Sequence, residues 1–355
     1  MYRSLFAIAV LGGCSAVQPE VHSASTQPAR VPSEAPLSAN VLHVGFTVSD
    51  LARAAHDFAR LGFKPGVRHE LAGDSFAALL HLPGAHARTL ELSLGEQTVE
   101  LTAFEGNPGR AIPADSHSND RWFQHVAIVV SDMDAAYAEL SPGFAASAAR
   151  GPEFYPTSPA PQTIPLSNSA AAGVRAFYFE DADRHDLELI WFPPGKGRPE
   201  WQATNRGLFL GIDHSAIATS DTERSLQTYR DALRLRIAGT SLNLGREQEA
   251  LSGVTSARVR ITGLRGSTGP GIEFLHYLEP GAGRPMPADT HASDLWHWEV
   301  TVLVSDLERA ARAVEAHGAR RISDRIAEFG DGDLGYRRAL LVSDPDGHAL
   351  RLVQR

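Results

Sequence analysis

An α+β fold of four similar units follows from two features of this 355-residue chain: a strand-plus-helix pattern that recurs, and a connecting segment that occurs twice. The pattern is clearest in Trp122 to Asp134, WFQHVAIVVSDMD. A period of two puts Val126, Ile128 and Val130 on one face there, and His125, Ala127 and Val129 on the other. Ser131-Asp132 then supplies a helix N-cap, and Met133, Ala136, Tyr137 and Leu140 recur at helical spacing. The pattern returns at His43 (HVGFTVSD), at His214 (HSAIATSD) and, altered, at Glu299 (EVTVLVSD), a repeat of about 85 residues.

Each unit reads as a strand, a helix and three more strands. In the first, the sequence predicts strands near 41–48, 64–70, 75–82 and 97–104, a helix at 50–60 and a further extended segment at 88–94. The second reads as strands near 124–130, 174–180 and 186–192, a helix at 132–140 and a weak strand within 144–150. The third and fourth follow the same order and close with strands near 271–277 and 348–354. The connection from Gly109 to Trp122 matches Gly283 to Trp296, with Arg110, Pro113, Asp115, His117 and Asp120 answered by Arg284, Pro287, Asp289, His291 and Asp294. This aligns the halves and sets Glu299 opposite His125. Residues shared by both connections read as structural. The Pro/Gly-rich stretch 193–207 reads as the linker between a first module, 40–192, and a second, 208–355.

At the N-terminus, Arg3 precedes the short apolar run Leu5 to Leu11, which ends in Leu-Gly-Gly-Cys14-Ser. That run is too short to span a bilayer but suits a signal-peptide core. It resembles a bacterial lipoprotein signal, which implies a signal peptide at 1–13 and lipidation of Cys14. Residues 14–39, rich in Ser, Ala and Pro, then form a flexible tether. The expectation is an exported lipoprotein facing the periplasm, held by its lipid to a membrane, the outer one. Cys14 is the only cysteine, so no intramolecular disulfide can form. A net charge of −9 and no basic patch argue against a nucleic-acid partner.

Four units opening with H-x-x-x-x-x-S-D or a relative of it resemble the vicinal oxygen chelate superfamily: glyoxalases, bleomycin-resistance proteins and extradiol dioxygenases. The resemblance implies βαβββ units paired into two glyoxalase-like curved-sheet modules, with metal ligands on the first and last strand of each unit. Carried over, those positions are His43 and Glu100 in unit one and His125 and Glu188 in unit two. They make a His/Glu/His/Glu set for one divalent metal, zinc, nickel, iron or manganese. Glu100 or Glu188 would be the catalytic base. The second half offers His214, Glu273, Glu299 and Arg351, and a cation at a ligand position implies an ion-pair cluster rather than a metal site. His297, on the same face as Glu299 and roughly 6.5 Å along the strand, is a further ligand candidate there.

The segment from Arg150 to Gly173 belongs to the first half alone, and its five prolines exclude a long helix. It reads either as a lid carrying Phe154 and Tyr155 to a small-molecule substrate or as a solvated insertion. Four ligands on an octahedral metal leave two positions for vicinal oxygens, which points to a glyoxalase- or epimerase-like isomerase or lyase. An extradiol-type dioxygenase and a sequestering protein of bleomycin-resistance type are the alternatives.

Overall fold

The computed structural model describes residues 37–106, 109–145, 151–202, 207–330 and 334–355. The signal peptide, Cys14 and nearly all of the predicted tether lie outside these residues. Leu37 to Ala39 do not belong to a tether, since Leu37 and Ala39 are buried in the core and Ala39 opens the first strand.

Unit one comprises β1 (Ala39–Thr47), α1 (Leu51–Arg60), β2 (Lys64–Leu71), α2 (Asp74–Leu80), β3 (Ala87–Leu94) and β4 (Gln97–Phe104). Unit two has β5 (Gln124–Val130), α3 (Met133–Leu140), the short β6 (Tyr155–Pro156) and β7 (Gln162–Thr163), then β8 (Arg175–Glu180) and β9 (Asp186–Trp191). In unit three, β10 (Phe209–Ala218) leads to α4 (Thr222–Leu226), β11 (Arg236–Leu244), α5 (Arg246–Ser252), β12 (Arg258–Arg265) and β13 (Gly271–Glu279). Unit four has β14 (Trp298–Val304), α6 (Leu307–Ala316), β15 (Arg320–Arg321), β16 (Ala327–Glu328), β17 (Arg338–Ser343) and β18 (Ala349–Gln354). The repeated Ser-Asp signal works as its chemistry requires: Asp50, Asp132, Asp221 and Asp306 each accept a bond from a first-turn backbone N–H.

One segment differs in type. Residues 75–82, expected as a strand, form α2 instead. Phe76, Leu79 and Leu80 fall three and four apart and are buried together, a helical spacing that the run of apolar residues conceals. The third strand of the unit is β3, at the extended segment.

The units do not share sheets in chain order. In the first sheet β1 pairs antiparallel with β14, joining unit one to unit four. In the second, β5 pairs antiparallel with β10, joining unit two to unit three. Within every unit the opening strand lies parallel to the closing one. The modules expected at 40–192 and 208–355 are therefore not the sheet-forming pairs. Consecutive units meet instead through their backs. Phe58 of α1 and Met133 and Leu140 of α3 share one core, and Leu226 of α4 and Val314 of α6 share another.

The repeated connections clamp this arrangement reciprocally. Arg110 donates to Asp294 at 2.7 Å and stacks 4.7 Å from the Trp296 ring centre. Arg284 does the same to Asp120 at 2.7 Å and to Trp122 at 4.6 Å.

The lid reading of Phe154 and Tyr155 is corrected here. Phe154 is fully buried against Phe179, with ring centres 5.5 Å apart, and is part of the core. Tyr155 lies in β6 at a sheet edge under the Arg184 guanidinium. Within the stretch read as a linker, 193–207, Trp201 is buried and bonded to Asp213.

Candidate metal centre

The concave face of each curved sheet gathers the inward residues of four central strands. Because the sheets join units two with three and one with four, the predicted quartet is divided between them. His125 and Glu188 face the second sheet's cup with His214 and Glu273. His43 and Glu100 lie in the first sheet's cup with Glu299 and Arg351. The structure thus never brings His43 and Glu100 to His125 and Glu188, and a metal cannot be shared among them.

In the second cup the imidazoles and carboxylates converge. His125 Nε2 lies 3.1 Å from Glu188 Oε2, and His214 Nε2 lies 3.6 Å from both Glu188 Oε2 and Glu273 Oε1. His125, Glu188 and His214 are buried, and each offers a ligand atom within 4.8 Å of the other two. Neither ring nitrogen of His125, nor Nε2 of His214, has an aligned hydrogen-bond partner. Buried polar atoms left unpaired on an N/O donor set fit a divalent cation, which would satisfy His125 Nε2 and His214 Nε2 together. Burial lowers the His125 pKa despite the pull of Glu188. His214 differs: against the same burial, Glu273, Asp213 and Glu188 hold it up at about 9. A metal would displace that proton. Burial raises Glu273.

A second layer fixes His214. The pairing of β10 with β5 slips by one residue between Ile212 and His214, so Asp213, next in the chain, reaches His214 Nδ1 at 3.0 Å. Asp213 is in turn held by Trp201 Nε1 at 2.8 Å and Arg265 Nη2 at 2.6 Å. Such partners orient a ligating imidazole. Over the site lies a cavity of about 180 Å³ bounded by Tyr178, Ile261 and the loop Ile164 to Val174. Next to it is a wider chamber of about 420 Å³, and Glu273 and His214 border both. Lys196 Nζ pins the loop by donating to the Ser169 and Ala170 carbonyls at 2.6 and 2.8 Å.

The first cup holds a cation of its own. Arg351 Nη1 donates to Glu100 Oε1 at 3.0 Å and to Tyr336 Oη at 3.2 Å, and its Nη2 donates to Glu299 Oε1. Although burial opposes its charge, Arg351 and His297 hold Glu299 down at about 2. The expected ion-pair cluster is therefore present, but with His43 and Glu100 in it.

A family model for the Glyoxalase/Bleomycin resistance protein/Dioxygenase superfamily matches residues 40–189 and 211–352. The chain belongs to this superfamily. No curated protein matches it significantly. Among solved structures, glyoxalase I from Zea mays is similar over 90% of this chain and 93% of its own, with 17% identity and a TM-score of 0.56. A putative dioxygenase from Bacillus subtilis covers 89% of this chain and 84% of its own, at 12% identity and a TM-score of 0.51. Both likenesses concern the fold. Members of the superfamily bind a divalent metal and small-molecule substrates, and the second cup is where this member carries a donor set for one.

His214, Glu273, Asp213, Trp201 and Arg265 are the site residues that the sequence reading set aside. Ligand counting could not have found them, because any two of units one to three supply a complete His/Glu/His/Glu set. One signal lay beside His214 alone: Asp213 precedes it and can orient it, whereas Leu42 precedes His43 and Gln124 precedes His125, so nothing local joins His125 to His214.

Proposed function

We propose that this superfamily member is a metal-dependent isomerase or lyase of glyoxalase or epimerase type, acting in the second cup on a small substrate with adjacent oxygens. The observation that carries this reading is the pair of buried imidazole nitrogens, His125 Nε2 and His214 Nε2, that have no aligned hydrogen-bond partner and are set against Glu188 and Glu273 at the floor of a cavity. His125, Glu188 and His214 would hold a divalent metal with Glu273 as the fourth donor. Once bound, such a metal supplies a Lewis acid for vicinal oxygens. Tyr178 and the loop from Ile164 to Val174 wall the substrate from solvent, and Glu273, which borders both chambers, takes and returns its proton.

One observation favours a second reading. The three closest donors, His125, Glu188 and His214, form a two-histidine, one-carboxylate set that would leave room for a catechol and dioxygen. The assay that separates the two measures dissolved oxygen while metal-loaded protein meets 2-oxoaldehydes, 2-hydroxyacyl compounds and catechols. Turnover without oxygen uptake is expected. Stoichiometric uptake with a catechol selects the dioxygenase, and tight binding with no turnover selects sequestration.

We also propose that the chain is exported and lipidated at Cys14, supported by the Leu11 to Cys14 motif and the single cysteine. Radioactive fatty acid should label the wild type and not Cys14→Ser. An unlabelled, soluble wild type would end this proposal.

A further inference from the structure

Away from both cups, a cavity of about 600 Å³ lies where unit one backs onto unit two, between α1 and the segment that leads into β6. Its wall carries His56, Asp57 and Glu153. Apart from His125, Glu188 and His214, this is the one group among the described residues in which three such side chains bring ligand atoms within 4.8 Å of one another.

Asp57 sets the cluster apart from a solvated acidic patch. It is 3% exposed and borders the cavity, yet its carboxylate has no hydrogen bond or ion pair among the described residues. Burial, and then the charges of Glu153 and Asp181, push its pKa up to about 6. A buried carboxylate without a partner is costly, and folded chains rarely keep one without a reason. The cations at hand are committed elsewhere. Arg53 donates to Ser49 Oγ at 2.9 Å and to the Asp183 carboxylate. Arg60 donates to Glu153 Oε2 and to the Glu139 carbonyl, both at 2.9 Å, which leaves Glu153 Oε1 open. Asp50, also on the wall, is spent on the first-turn N–H groups of α1.

The core holds the two carboxylates in place. Asp57 and Glu153 each precede a phenylalanine, and Phe58 and Phe154 are fully buried in one shared cluster. The backbone N–H groups of Glu153 and Phe154 both donate to the Gly143 carbonyl, at 2.9 and 3.2 Å, which fixes their segment against the end of unit two's helix. His56, one residue before Asp57 on α1, stays exposed and supplies the imidazole. One imidazole and two carboxylates suit a divalent ion such as zinc, cobalt or manganese, with its remaining positions open to water in the cavity.

We infer that His56, Asp57 and Glu153 form a second divalent-metal site, independent of the cup, at which the ion straps α1 of unit one to the segment before β6 of unit two. Three donors, one of them exposed, make a site that exchanges its ion with solution. Added metal fills it, and purification empties it.

The test is made in a His214→Ala background, so that the cup is disabled and the result stands whether or not the proposed function holds. Zinc titrated calorimetrically into this protein, after stripping with a chelator, should bind at about one equivalent and raise the melting temperature. Adding His56→Ala, an exposed position, should weaken that binding by roughly tenfold or more. Adding Asp57→Asn instead should abolish it and leave the zinc-free melting temperature unchanged or higher, because an unpaired buried charge is gone. A His214→Ala protein that binds no zinc overturns the inference. So does zinc binding that neither His56→Ala nor Asp57→Asn weakens, which puts the ion elsewhere. If Asp57→Asn does not fold, His56→Ala and Glu153→Gln decide the question in the same way.

Discussion

His214→Ala should reduce tightly held divalent metal from about one equivalent per chain to a trace, and turnover with it, whereas His43→Ala should leave both unchanged. The two residues open equivalent strands and both are buried, so neither repeat position nor burial distinguishes them. What does is the sheet each belongs to. His214 Nε2 faces Glu188 and Glu273 at 3.6 Å and its Nδ1 is held by Asp213. Near His43 are Glu100 and Glu299, both already engaged by Arg351. Elemental analysis of protein purified without added metal reads the difference directly. Loss of metal in His43→Ala with retention in His214→Ala would mean that the quartet divides between the sheets in some other way.

The units and their signals were plain in the sequence. Alternation of His125 to Val130, the Asp132 cap and the closing strand around Glu188 are local features, set within a few residues by side-chain direction and backbone hydrogen bonding. Which unit would share a sheet with which was not local. Neighbouring elements are usually neighbours in space, and that default places His125 with His43. The actual junction is the pairing of β5 with β10, whose strands carry no residue that names the partner. The same non-local choice hid Trp201, which lies in a stretch that reads as a linker and becomes a support for Asp213. Phe154 misled differently. In a proline-rich segment it reads as free to touch a ligand, yet an apolar ring beside Phe179 lowers the free energy more by burial.

The two glutamates of the second cup should separate on substitution. Glu188 is 5% exposed and its Oε2 lies 3.1 Å from His125 and 3.6 Å from His214. Removal of that carboxylate should empty the site. Glu273 lies 3.6 Å from His214, its side chain is 23% exposed, and it faces both chambers. On the β12 side its ladder partner is Gly263, which brings no side chain beside it, whereas Glu100 in the other sheet has Glu91 there. Burial raises the Glu273 pKa, which suits a group that must accept a proton and give it back. Glu273→Gln should therefore keep most of its metal while turnover falls by roughly a hundredfold or more. Metal content and kcat measured on the same preparation decide it. Glu273→Gln with undiminished turnover would exclude Glu273 as the base, and equal metal loss in Glu188→Gln and Glu273→Gln would make both of them ligands with no division of labour.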